Sequence, residues 1–125
     1  MALARRCRHL VVSGASMAPS LLPGDRLLAV RTGRRPRVGQ LALVADPRAP
    51  GRTLLKRVHA VRGGMVDVRG DNTAASTDSR VFGLLPIAAV EACVVVRYHP
   101  PDRAGRVSAP RARGGRRGRR RADRR

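Results

Sequence analysis

Short apolar runs separated by Gly, Pro and Asp divide the first hundred residues of the chain. The runs have the length of strands, and many contain β-branched valine, which packs well on a pleated surface. We therefore predict six strands, at residues 9–12, 26–31, 40–45, 53–61, 65–69 and 92–98.

The segments between these runs carry turn signals. Arg62-Gly63-Gly64-Met65 predicts a tight hairpin, and the segment from Pro86 to Val90 predicts one helical turn with proline at its start. The pattern as a whole indicates a single small, mostly β domain of about six to eight short strands.

The C-terminal residues differ from this body in composition. The chain has 125 residues, enough for one domain, and residues 103–125 hold 11 arginines against the single acid Asp123. Such a segment cannot offset its ordering entropy by burial, so we expect a domain at residues 1–102 and a disordered basic tail at 103–125. The tail predicts nonspecific affinity for nucleic acid or another acidic surface.

Several functional classes are disfavoured. No run of about 18 apolar residues predicts a membrane span, and the apolar stretch at residues 10–12 is too short for a signal-peptide core. Cys7 and Cys93 are too few for a disulfide scaffold, and His9, His59 and His99 lack metal-ligand spacing. We expect a cytoplasmic protein with no metal and no cofactor.

One residue stands out against the arginine bias. The chain has 27 cations, of which only Lys56 is a lysine. In a strand, Leu54, Lys56 and Val58 share a face, so the amine is predicted to be partly desolvated. Desolvation lowers the pKa of an amine, and a neutral amine can take the proton of a serine hydroxyl, which arginine cannot do. The alternative is a strand lysine whose amine reaches solvent.

Two polar segments supply further candidates. Gly14 and Pro19 bracket Ser16 in a turn that would hold its hydroxyl beside a backbone N–H; the alternative is a serine in a plain surface turn. The long polar segment at residues 70–83 predicts a loop, in which Asp78 and Arg80 would form an ion pair.

Taken together, these segments resemble a known family. SGASMAPS, GDRLLAV, LLKRV and GDNTAASTDSR followed by FG stand in the order of the motifs of the signal peptidase I family of serine proteases. The resemblance runs from about residue 12 to residue 98. Among the relatives, the chain is most similar to the maturation proteases of nickel-type superoxide dismutase.

The resemblance implies roles for five residues. Ser16 would be the nucleophile and Lys56 its general base, in a Ser/Lys dyad. Ser76 matches the serine that orients the lysine amine, and Asp78 and Arg80 match a structural salt-bridged pair.

The turn around the nucleophile would lie near the substrate, with Gly14, Met17 and Pro19 in its vicinity. Some family members have a serine hydroxyl that assists the oxyanion at the position of Gly14. Glycine has no hydroxyl, so the backbone N–H of Ser16 is the expected donor.

The leading hypothesis is an endopeptidase that removes the N-terminal extension of a precursor, nickel-type superoxide dismutase. A second is an anchor-free signal peptidase I-like enzyme that acts on secretory preproteins. A third, from another class, is a basic nucleic-acid-binding protein.

Overall fold

The computed structural model of the chain describes residues 6–31 and 33–107. This part of the chain is mostly β, as predicted, with one short helix, α1, at Ser79–Phe82. The strands are β1 (Cys7–Val11), β2 (Arg26–Val30), β3 (Leu41–Ala45), β4 (Thr53–Arg62), β5 (Met65–Arg69), β6 (Leu85–Pro86), β7 (Val90–His99) and β8 (Gly105–Arg106).

The eight strands form one antiparallel sheet in the order β1-β2-β7-β3-β4-β5-β6, with β8 paired to β7. The central strands β3 and β7 alternate between two apolar clusters. Leu41 and Leu43 contribute to one cluster, whereas Ala42 and Val44 contribute to the other. Because successive side chains of a strand point to opposite faces, both faces of these strands are buried.

The six predicted strands are confirmed, with ends that differ by up to two residues. The hairpin is confirmed, since Arg62 pairs with Met65. The predicted helical turn is a single 3-10 turn at Ile87–Ala89. β6 and β8 were not predicted, because a strand of two residues is too short to show alternation.

The contacts of the sheet continue past residue 102. Gly105 and Arg106 pair with β7, and Arg103 forms ion pairs with Asp25 at the start of β2. Composition missed these contacts because they depend on backbone pairing and on one buried carboxylate, not on apolar side chains. The rest of the predicted tail, residues 108–125, lies outside the described residues.

Candidate active site

Ser16 lies in the turn segment that connects β1 to β2. Met17 and Leu21 are buried in the apolar cluster at the two ends of a tight turn, in which the Leu21 N–H donates to the Met17 carbonyl at 2.9 Å. These two side chains anchor the segment to the sheet, while Ser16 itself is half-buried. The serine is therefore held on a fixed backbone with its side chain at the surface of the core.

The loop after β5 holds the backbone of this turn. The Asn72 N–H donates to the Ser16 carbonyl at 2.8 Å, and its side-chain amide donates to the Ala15 carbonyl at 3.0 Å. Gly70 comes so close that a Cβ placed there would lie 2.7 Å from the Ser16 carbonyl oxygen. Glycine at this position therefore permits the close approach of the loop and the serine turn.

Lys56 lies in β4 and is 4% exposed. The predicted alternation is observed, because Leu54 and Val58 pack in one apolar cluster and Leu55 packs against the other. Burial lowers the pKa of the Lys56 amine. The charge of Asp78 opposes this shift, and the charge of Arg48 reinforces it.

The Lys56 amine has a defined partner. Its Nζ donates to the Ser76 hydroxyl at 3.0 Å, and that hydroxyl donates to Asp78 Oδ2 at 2.7 Å. Because the proton of Ser76 is directed at Asp78, its oxygen is left to accept from the amine. One amine hydrogen therefore points at Ser76, so the nitrogen lone pair of a neutral lysine is not used in this hydrogen bond.

Asp78 is fully buried and caps the N-terminus of α1. Burial acts to raise the pKa of its carboxyl, but hydrogen bonds from Arg80, Gly70 and Ser76 hold that pKa well below its usual range. Arg80 Nε donates to Asp78 at 2.9 Å and the Gly70 N–H at 2.8 Å. The structure thus forms the predicted Asp78–Arg80 pair, and the charge of Arg80 acts against the effect of the carboxylate on the pKa of Lys56.

Ser16 and Lys56 line the same cleft, which has a volume of about 570 Å³. One wall is β1 and the other is the first half of β4, from Thr53 to Lys56. Of the three residues predicted to lie near substrate, Met17 lines this cleft, whereas Gly14 and Pro19 are exposed in the adjoining turn.

Two buried ion-pair groups support the serine turn and were missed from the sequence. Arg57, 8% exposed, donates to Asp71 at 2.9 and 2.7 Å in a bidentate pair and to the Gly39 carbonyl at 2.9 Å. Asp71 also accepts a side-chain hydrogen bond from Ser20. This pair joins β4, the loop after β5 and the serine turn. Asp71 belongs to the GDN segment of the predicted loop, whereas nothing in the sequence marks Arg57 as its partner.

The second group is centred on Asp25, which is 2% exposed. Arg103 contacts it at 2.7 and 3.0 Å, and Arg97 at 3.2 Å. Arg97 also donates to the Ser20 carbonyl at 3.0 Å. Asp25 therefore fixes the end of the serine turn against β7 and the segment that leads to β8.

Within residues 6–31 and 33–107, no group of three or more His, Cys, Asp or Glu side chains is placed to hold a metal ion. The same residues contain no helix with the length and apolar character needed to cross a membrane. His59, Cys7 and Cys93 are not among the residues that line the cleft of Ser16 and Lys56.

Comparison with known proteins identifies the class of the protein. It is 34% identical over 120 residues to mitochondrial ATP-independent inner membrane protease subunit 1a of Arabidopsis thaliana, covering 75% of this chain and 71% of that protein. Subunit 1b of the same plant is 34% identical over 113 residues, covering 70% of this chain and 67% of the relative. These similarities define the chain as a protease.

The family follows from a second match. A family model described as signal peptidase, peptidase S26, matches residues 2–71, which include Ser16 and Lys56. The chain belongs to this family of serine proteases, as its motifs predicted. The matched range ends before Ser76, Asp78 and Arg80. The contacts of these three residues with Lys56 and with each other are therefore observed in the structure and are not part of the family match.

Proposed function

We propose that the chain is an endopeptidase with a Ser/Lys dyad, in which Ser16 is the nucleophile and Lys56 the general base. One observation carries the proposal: the only lysine of the chain has its amine buried, bonded to Ser76, and placed on the cleft that Ser16 also lines. A lysine that served only as a surface cation would not need this burial.

The reaction begins with a proton transfer. The neutral Lys56 amine accepts the hydroxyl proton of Ser16 as the oxygen attacks the carbonyl carbon of the substrate peptide. The resulting ammonium gives this proton to the departing amine when the peptide bond breaks, which leaves an acyl group on Ser16. Lys56 then takes a proton from the water that attacks the acyl carbon, and it returns this proton to the Ser16 oxygen when the acyl bond to Ser16 breaks.

The tetrahedral intermediate carries a negative oxygen that needs a donor. Gly14, two residues before the nucleophile, has no side-chain donor and adopts a φ of 78°. The backbone N–H of Ser16 is therefore the proposed donor, held in place by the anchored turn.

The proposed reaction is removal of an N-terminal extension from a precursor protein, nickel-type superoxide dismutase. The order of the SGASMAPS, LLKRV and GDNTAASTDSR motifs supports this substrate through its resemblance to the maturation proteases. A cytoplasmic location goes with it and stays a prediction. An alternative substrate class, secretory preproteins, is supported by the family itself, signal peptidase, peptidase S26.

Co-expression with a precursor tests the proposal. Each of the two precursor classes is produced with the wild-type protein and with Ser16→Ala, and the new N-terminus is read by mass spectrometry. We expect one precursor to be shortened by the wild type and to remain intact with Ser16→Ala. Equal processing by both proteins would contradict the assignment of Ser16. The two precursors decide between the substrate classes.

The nonenzymatic alternative concerns the basic C-terminal residues. Deletion of residues 108–125 removes 9 of the 27 cations. If these residues bind nucleic acid, the deletion lowers retention on DNA at low salt and leaves proteolysis unchanged. Loss of proteolysis on this deletion, with the sheet intact, would show that the basic residues belong to the enzyme's function.

A further inference from the structure

The cleft that contains Ser16 and Lys56 is strongly basic. Three arginines, Arg8, Arg48 and Arg52, line it in addition to the lysine. Among the described residues that line it, none is an Asp or a Glu. A peptide bound in this cleft therefore meets a positive field.

The three arginines differ in how far their charges are already satisfied. Arg8 donates to Glu91 at 2.9 Å. Arg48 donates to both oxygens of Asp46 at 3.1 Å, and its guanidinium lies 5.7 Å from the ring centroid of Phe82. These contacts fix the first two side chains.

Arg52 shares the carboxylate that Arg48 already occupies. Its Nε lies 3.6 Å from Asp46 Oδ2, beyond good hydrogen-bond distance, and its side chain is 65% exposed. Two guanidinium groups thus face one carboxylate, which leaves one positive charge in excess. A second carboxylate would balance this charge and could accept both N–H groups of an arginine fork.

The position of Arg52, directly before β4, sets where such a carboxylate would lie. Residues 53–56 pair with β3 on one side, and pairing of β4 with β5 begins only at Arg57. The side of residues 53–56 away from β3 is therefore open where they line the cleft. Arg52 precedes Lys56 by four residues, or about 13 Å of extended chain. An extended substrate of three to four residues spans this distance.

We infer that Arg52 makes the enzyme select substrates with an Asp or Glu three to four residues from the cleaved bond. This inference rests on the proposed function, because it places the cleaved bond at Ser16 and Lys56. A charge pair of this exposure is expected to raise kcat/KM about 1.5- to fivefold over a neutral side chain at low salt, and to weaken as salt is added.

A peptide library measures this preference without a known substrate. The wild-type protein is incubated with a mixture of peptides of diverse sequence, and mass spectrometry locates the cleaved bonds. Matched peptides are then made around one cleaved bond, with Glu, Gln or Lys at each of the four positions on either side. The readout is the ratio of kcat/KM between the Glu peptide and its Gln counterpart.

The variants are Arg52→Gln and, as a matched control, Arg62→Gln, an exposed arginine at the far end of β4, the strand that Arg52 precedes. We expect a Glu/Gln ratio of about 1.5 to five at one position in the wild type and in Arg62→Gln, and a ratio near one in Arg52→Gln. The charge reversal Arg52→Glu is expected to favour the Lys peptide at that position.

Two results would overturn the inference in different ways. Cleavage with equal rates on Glu and Gln peptides, or a preference that persists in Arg52→Gln, would contradict the role of Arg52 and leave the proposed function intact. Equal cleavage by Ser16→Ala would contradict the proposed function, and the inference with it.

Discussion

Replacement of Ser76 by alanine isolates the contact that orients the lysine. The change removes the acceptor for the Lys56 amine at 3.0 Å and one of the donors to Asp78 at 2.7 Å. Asp78 retains hydrogen bonds from the Gly70 N–H at 2.8 Å and from Arg80. The carboxylate therefore stays paired, and the expected loss of folding stability is about 1 kcal/mol.

The expected loss of rate is larger than this loss of stability suggests. Without Ser76, the last two side-chain torsions of Lys56 are free to sample about three wells each, so the amine occupies about nine arrangements instead of one. This dilution alone lowers kcat about tenfold. A longer distance between the amine and the Ser16 hydroxyl adds to it, for a total of ten- to about a thousandfold.

The assay is a pH–rate profile of kcat and KM on one peptide substrate, with thermal unfolding measured in parallel. Ser79→Ala is the matched control, because Ser79 is also half-buried and its hydroxyl accepts from the Val68 N–H at 2.9 Å. We expect the control to lose similar stability and to keep its rate. A Ser76→Ala enzyme with the rate and pH dependence of the wild type would refute the orienting role.

Two further substitutions test the surroundings of the dyad. Arg80→Gln leaves the charge of Asp78 less compensated, which raises the pKa of Lys56. Because less neutral amine is then present near pH 7, we expect the acidic limb of the pH–rate profile to move to higher pH. An acidic limb that does not move would contradict this coupling. Gly70→Ala places a Cβ against the Ser76 side chain and 2.7 Å from the Ser16 carbonyl oxygen, so we expect a loss of about 1–3 kcal/mol of stability together with a loss of activity, measured by thermal unfolding and peptide cleavage. Wild-type stability of this variant would show that the loop and the serine turn do not touch in solution.

The strands could be predicted because their signal is local. A period of two in hydrophobicity and the frequency of β-branched residues locate β2 and β5 with little error. Lys56 could be singled out because a single lysine among 27 cations is informative, and its burial follows from its apolar neighbours in β4.

The supporting ion pairs could not be predicted, because their signal is not local. Arg103 and Asp25 are 78 residues apart, and nothing in the sequence distinguishes Arg103 from the other arginines of the basic C-terminal segment. Arg57 was assigned no role because arginine is frequent in this chain. The charge of the cleft is equally nonlocal, since Arg8 and Arg52 line one cleft only after β1 and β4 have been placed in the sheet.

The most direct test of the account is the kcat/KM of Lys56→Arg beside the wild type, on one peptide, between about pH 6 and pH 10. Arginine keeps the positive charge but cannot become a neutral base in this range. We expect wild-type kcat/KM to rise with pH as the amine with the lowered pKa loses its proton, and the variant to be as inactive as Lys56→Ala at every pH. Near-normal cleavage by Lys56→Arg, with the same pH dependence, would show that Lys56 is a structural cation and would contradict the Ser/Lys dyad.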